Sequence, residues 1–274
     1  MKGFLLVFFL FISMFLAEGC GGTGSFGLDA NTTAKEVYLE PYLKENGLKL
    51  LIPMYVYPTP SSVEWKKLID FKKAYPHIEI ITIINPSNGH FSKPDSNYEQ
   101  IVQKLVDANI KVIGYVYTKY AKRDIKEVQA DIDAWMQFYR HFGVNGIFFD
   151  EADSNSKNLP YYKKLSEYAR GDGFNMVVLN PGTTVDSAYV DANIADIIVN
   201  YENPYGDLSH TTTWNTPTKN TSLAMLVYGV DDNKVGETVQ KAVDNNVGYI
   251  YLTDANKLPW NTISKYLAVQ TPAN

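Results

Sequence analysis

A chain of 274 residues, 45% hydrophobic and 20% charged, has enough apolar surface for one large folded unit or two small ones. Its net charge of −5 offers no basic footprint for nucleic acid, and its single cysteine excludes an intrachain disulfide. Aromatics reach 14%, with 20 Tyr, which bears on the ligand considered below.

Lys2 is followed by an apolar run from Phe4 to Leu16. That run is shorter than the roughly 20 residues of a membrane span. Residues 1–19 instead have the layout of a secretory signal: basic start, apolar middle, small residues at the exit. The exit Leu16-Ala17-Glu18-Gly19-Cys20 resembles a bacterial lipobox, in which Cys20 would be lipidated. Glu18 departs from that pattern, and Ala17-x-Gly19 also suits an ordinary signal peptidase, so free secretion is the alternative to an anchor at Cys20. Membrane association is expected only through that anchor. Residues 20–36 read as a flexible Gly/Ser/Thr/Asn-rich tether. Gly22-Thr23-Gly24-Ser25-Phe26-Gly27 has dinucleotide-loop spacing, but no strand precedes it, so no nucleotide is expected.

Residues 37–274 read as one domain. Apolar runs rich in Val, Ile, Tyr and Phe recur at Leu50–Tyr57, Ile78–Ile84, Lys111–Tyr117, Val144–Phe149, Asn175–Leu179, Asp196–Tyr201, Leu223–Tyr228 and Gly248–Leu252. Helical spacing fills Val63–Ala74, Tyr98–Ala108, Asp124–Phe142, Pro160–Arg170 and Lys234–Asn246. Eight strands alternating with helices predict a (β/α)8 TIM barrel. An open doubly wound sheet is the alternative, and eight near-even units favour closure. A monomer is expected.

Closing the barrel gathers the residues that end each strand at one mouth, where active sites of this architecture collect. The fourth run, Val144 to Phe149, ends abruptly in Asp150-Glu151. An ionised carboxylate buried without a partner is costly, so this pair belongs where the strand opens to solvent. Glu202 follows the sixth run, inside Asn200-Tyr201-Glu202-Asn203-Pro204-Tyr205. Two carboxylates facing one another across a cleft are what glycosidic hydrolysis requires: one protonates the leaving oxygen, the other attacks or activates water. The alternative for Asp150 and Glu151, an acidic helix cap, loses ground once the barrel places them at the mouth.

Four His without an i, i+4 pair, and no calcium-loop or phosphate-loop spacing, imply no metal and no cofactor. No G-x-S-x-G elbow supports a serine nucleophile. Strand-end Tyr residues, with Trp260 after the last strand, suit the apolar face and polar rim of sugar rings. Candidate substrate contacts are Tyr57, Asn85, His90, Tyr117, Asn180, Tyr205 and Asp254, with Tyr117 and Tyr205 foremost.

Ile52-Pro53-Met54-Tyr55-Val56-Tyr57-Pro58, Ile84-Asn85-Pro86-Ser87-Asn88-Gly89, Gly114 to Tyr120, Val144 to Glu151, Asn180-Pro181-Gly182 and Ala195 to Glu202 together resemble the spherulin-4-like family over roughly residues 50–255. The resemblance implies a (β/α)8 glycoside hydrolase acting on α-1,4-linked N-acetylgalactosamine in galactosaminogalactan. It places the essential acids on Asp150, Glu151 and Glu202. The reading of the residues adds a retaining mechanism, with Asp150 as nucleophile and Glu202 as general acid. Glu202 would be raised in pKa by Tyr201, Tyr205 and Asp150, and Glu151 would orient a partner or hold the amino-sugar substituent. A non-catalytic carbohydrate-binding surface lipoprotein on the same barrel is the competing function. A metal-dependent deacetylase lacks its Asp/His set.

Overall fold

The computed structural model describes residues 36–270. The signal, Cys20 and residues 20–35 of the tether lie outside the described residues. Eight parallel strands close in chain order into one barrel: β1 (Lys49–Met54), β2 (Ile80–Ile84), β3 (Lys111–Tyr117), β4 (Val144–Asp150), β5 (Met176–Leu179), β6 (Ile197–Pro204), β7 (Ser222–Tyr228) and β8 (Tyr249–Leu252). Closure is made by β8 pairing with β1, Tyr249 opposite Lys49 and Ile250 opposite Leu50. All eight expected runs are strands, and the open sheet is set aside. The run Ile80–Ile84 is buried at every residue, as a parallel strand covered by barrel interior on one face and helices on the other must be.

Helix α1 (Glu40–Asn46) precedes the barrel; α2 (Val63–Ala74), α3 (Ser96–Asp107), α4 (Ile125–Phe138) and α5 (Leu159–Gly171) follow the first four strands. The crossovers after β5 and β6 carry only short helices, α6 (Ser187–Asp191) and α7 (Tyr205–Leu208), before α8 (Val235–Asp244). Asp95 and Asp124 cap α3 and α4, each accepting from a backbone N–H two residues on, at Asn97 and Lys126.

One expected helix is divided. Asp124–Phe142 reads as continuous, but the α-helix stops at Phe138 and a tighter turn, Arg140–Phe142, follows. The break is at Tyr139, whose ring is buried against Trp135 and Phe91 and whose hydroxyl accepts from the Asp95 N–H at 2.9 Å. Pulling that ring into the core outweighs one more helical turn, and Gly143 at φ 115° redirects the chain into β4.

Helix α4 also packs unusually close to the sheet. A Cβ on Gly114 would lie 2.4 Å from the Trp135 ring, so only glycine admits the indole there. Trp135 Nε1 then donates to the Tyr115 carbonyl at 3.0 Å. The Thr-rich segment between α7 and β7 is held by its own side chains. Asn215 accepts from the Val185 N–H and donates to the Val185 carbonyl, and Trp214 stacks on Tyr201 with 6.1 Å between centroids.

Candidate active site

Two departures from regular strand geometry aim the acids. On a regular strand Asp150 and Glu151 would face opposite ways. The strand ends at Asp150, and Glu151 takes a left-handed φ of 49°. Such a conformation costs about 1–2 kcal/mol for a residue with a side chain. It is held by Thr118, whose Oγ1 donates to both the Asp150 and Glu151 carbonyls at 3.0 and 2.9 Å, and by the Tyr120 N–H on Glu151 O at 2.7 Å. Asp150 is left facing the barrel axis, while Glu151 joins the wall of a neighbouring groove.

The second departure is in β6. Its pairing with β7 slips between Val199 and Tyr201, which makes Asn200 the extra residue of a bulge. Asn200 is held by donating to Thr184 Oγ1 at 3.1 Å and accepting from the Asn215 N–H at 3.3 Å. A bulge changes which side chains share a face. Tyr201 is sent out onto Trp214, and Glu202 is turned inward.

Asn180, at the end of β5, joins the two acids. Its Nδ2 donates to Asp150 Oδ1 at 2.7 Å and also to Glu202 Oε2. One amide nitrogen with two hydrogens thus bridges the two acids and holds their nearest oxygens close together. The remaining oxygens are satisfied from opposite walls: Tyr115 OH donates to Asp150 Oδ2 at 2.7 Å, and Trp260 Nε1 donates to Glu202 Oε1 at 2.8 Å. Tyr55 meets Tyr115 edge-on at 5.6 Å, and burial, with smaller contributions from both carboxylates, raises its phenol well above the usual range.

The acids are not equivalent. Burial and the charge of Asp150 push Glu202 up to about 7, against lowering by Asn180 and Trp260. Burial also raises Asp150, opposed by donors from Tyr115, the Glu151 N–H and Asn180. Three donors favour the charged form of Asp150 against two for Glu202. The donor pattern therefore favours ionisation of Asp150 over that of Glu202. The expected cause of the Glu202 shift is corrected: burial dominates and Asp150 contributes, whereas Tyr201 and Tyr205 do not touch the carboxyl. Tyr201 OH donates to the Pro204 carbonyl, and Tyr205 OH donates to Glu237.

The other expected contacts divide. Tyr117, His90 and Glu151 line one groove of about 710 Å³ beside the acids. Asn85 ends β2 and donates weakly to Asn88 Oδ1 at 3.4 Å. Tyr57 lies farther out, donating to Asp95 and accepting from Asn97 over the start of α3. Tyr205 opens α7 and is engaged by α8, with Lys234 Nζ 5.8 Å from its ring centre. Asp254 pairs with Lys265 at 3.7 Å. Neither Tyr205 nor Asp254 bonds to the acid centre.

Tyr115 and Tyr55, which lie beside the acids, are absent from the expected contacts, although Tyr115 lies two residues before Tyr117 and so on the same face. Among the described residues, no group of three His, Cys, Asp or Glu could hold a metal ion, and no helix is long and apolar enough to cross a membrane.

Comparison with known proteins agrees with this architecture. Spherulin-4 of Physarum polycephalum is 30% identical over 240 residues, covering 82% of this chain and 70% of its own length. The crystal structure of Aspergillus clavatus Sph3 in complex with GalNAc superposes with a TM-score of 0.70 at 27% identity, covering 80% of this chain and 94% of that one. The family described as Spherulation-specific family 4 matches residues 49–272, and the chain belongs to it.

Proposed function

We propose that this protein is a glycoside hydrolase that cuts within an extracellular amino-sugar polymer built on α-1,4-linked N-acetylgalactosamine. The observation that carries the proposal is the pair of buried carboxylates tied to one Asn180 amide. Glu202, raised to about 7, keeps a proton to give near neutrality, and Asp150 keeps a lone pair to attack. The substrate class is supported by similarity to Sph3, whose structure holds GalNAc. The aromatic rim of Tyr55, Tyr115 and Trp260 suits a sugar ring.

In the proposed reaction the Glu202 proton passes to the glycosidic oxygen as that bond to the anomeric carbon breaks. Asp150 forms an ester bond to the same carbon. Glu202, now ionised, takes a proton from water; the water oxygen bonds the anomeric carbon and Asp150 leaves as carboxylate. Carboxyls near enough to share one amide nitrogen suit the roughly 5–5.5 Å separation of retaining enzymes better than the wider gap of inverting ones. Glu151, on the groove wall, is placed to hold the sugar's amino or acetamido substituent.

Digesting purified galactosaminogalactan and reading the products by mass spectrometry tests the function. A ladder of shortened oligosaccharides is expected, and an unchanged polymer would refute the proposal. We further propose export, with lipid attachment at Cys20 in preference to free secretion, on the strength of the apolar run and the lipobox-like exit.

A further inference from the structure

We propose that the groove running from the acid centre past His90 holds polymer units remote from the bond being cut, and that His90 is the residue that fixes them. This rests on the hydrolase reading above. The groove, about 710 Å³, takes in Tyr115 and Glu151 beside Asp150 and also His90 and Arg123. A second groove of about 360 Å³, walled by Tyr57, Lys93 and Tyr98, meets it at Ser87 and His90. The two grooves thus lie side by side along the β2 loop with Ser87 and His90 common to both walls, an extended surface that suits an internal stretch of polymer better than a chain end.

His90 is built into this path rather than left on the surface. Its side chain is 80% exposed, yet Nδ1 lies 2.9 Å from Oδ1 of Asp131, whose side chain is 4% exposed. Asp131 Oδ2 accepts from Arg123 Nη1 at 2.8 Å. The same Arg123 nitrogen donates to the Tyr117 carbonyl, and the guanidinium lies 4.3 Å from the Tyr117 ring centre. An ionised carboxylate only accepts, so Nδ1 carries the hydrogen toward Asp131 and Nε2 is turned to the far edge of the ring. Arg123 and Asp131 satisfy each other, which leaves the exposed imidazole edge free for a sugar hydroxyl.

The backbone fixes the distance from His90 to the chemistry. A Cβ on Gly89 would lie 2.2 Å from the Tyr115 carbonyl oxygen, so the β2 loop rests directly on β3, whose Tyr115 hydroxyl donates to Asp150. Among the described residues, six of the ten non-glycine positions with positive φ are Ser87, Asn88, Lys119, Tyr120, Ala121 and Glu151, all in the loops after β2, β3 and β4. Strain of this kind persists where surrounding structure over-determines a functional conformation.

The test compares α-1,4-N-acetylgalactosamine oligosaccharides of three and of eight units on the full chain. Wild type should gain in kcat/KM on lengthening, and His90→Ala should lose about tenfold of that gain, the value of roughly one well-placed polar contact. Asp131→Asn, which loosens the ring, should reduce the gain in the same direction, and His90→Gln should restore part of it. A gain left intact in His90→Ala, or an equal loss on both lengths, would overturn the proposal. If wild type cuts neither oligosaccharide, the hydrolase reading fails, and calorimetric binding of the same two compounds decides the groove. An affinity that rises with length and depends on His90 supports it; any other binding result overturns it.

Discussion

Replacing Asn180 with Ala removes the donor shared by both acids and is the most informative single change at the centre. Asn180 is 5% exposed, so solvent cannot fully take its place. Two hydrogen bonds to carboxylates are lost, each worth about 1.5–3 kcal/mol. If both act in the transition state, kcat/KM falls by about 10²- to 10⁴-fold, at 1.4 kcal/mol per decade. The pH profile separates this from simple misplacement. The proposed mechanism requires Asp150 ionised and Glu202 protonated, so it predicts a wild-type bell that rises through the Asp150 pKa and falls through about 7. Asn180 donates to the charged form of each acid and lowers both pKa values. Its loss should therefore move both limbs to higher pH. The assay is kcat/KM against pH on an oligosaccharide, with circular dichroism to show that the variant is folded. Limbs that stay in place or move to lower pH would refute the assignment of Asn180 as the shared donor.

Glu202→Gln should change how stability depends on pH. The Glu202 pKa is raised on folding from 4.5 to about 7, so the native state binds the proton more tightly than the unfolded chain and wild type loses stability as pH climbs through that window. The variant lacks this loss, so its melting temperature relative to wild type should be higher at about pH 8 than at about pH 5; an equal offset at both would contradict burial of the carboxyl. Gly114→Ala should destabilise by about 1–3 kcal/mol in denaturant unfolding, because the added methyl overlaps the Trp135 ring, and an unchanged midpoint would refute that close packing. A fatty-acid analogue fed to expressing cells should label wild type and not Cys20→Ala; label on the variant, or none on wild type, would refute lipidation.

The barrel was legible because every strand is an apolar run cut short by turn residues, and eight such runs leave few architectures. Asp150 was legible for a related reason: a carboxylate cannot end a wholly buried strand unless that end opens to a site. Asn180 was readable as a strand-end amide, but its double engagement was not, because that depends on the bulge at Asn200. Alternation with period two cannot reveal an inserted residue, so the inward turn of Glu202 needed the β6–β7 register. Tyr205 and Asp254 stand apart from the acid pair for a geometric reason. Position after a strand fixes which end of the barrel a residue occupies, not the direction of its side chain, and α7 begins at Tyr205 and carries it onto α8. The His90–Asp131 contact joins residues 41 apart in sequence, on a loop and a helix, and no local pattern announces it.

Turnover of a defined α-1,4-N-acetylgalactosamine oligosaccharide by Asp150→Asn and Glu202→Gln, with binding measured on the same samples, tests the two-acid centre most directly. Near-total loss of hydrolysis in folded proteins that still bind the oligosaccharide is the expected result. Substantial residual hydrolysis in either variant, or a loss that only tracks weakened binding, would contradict it.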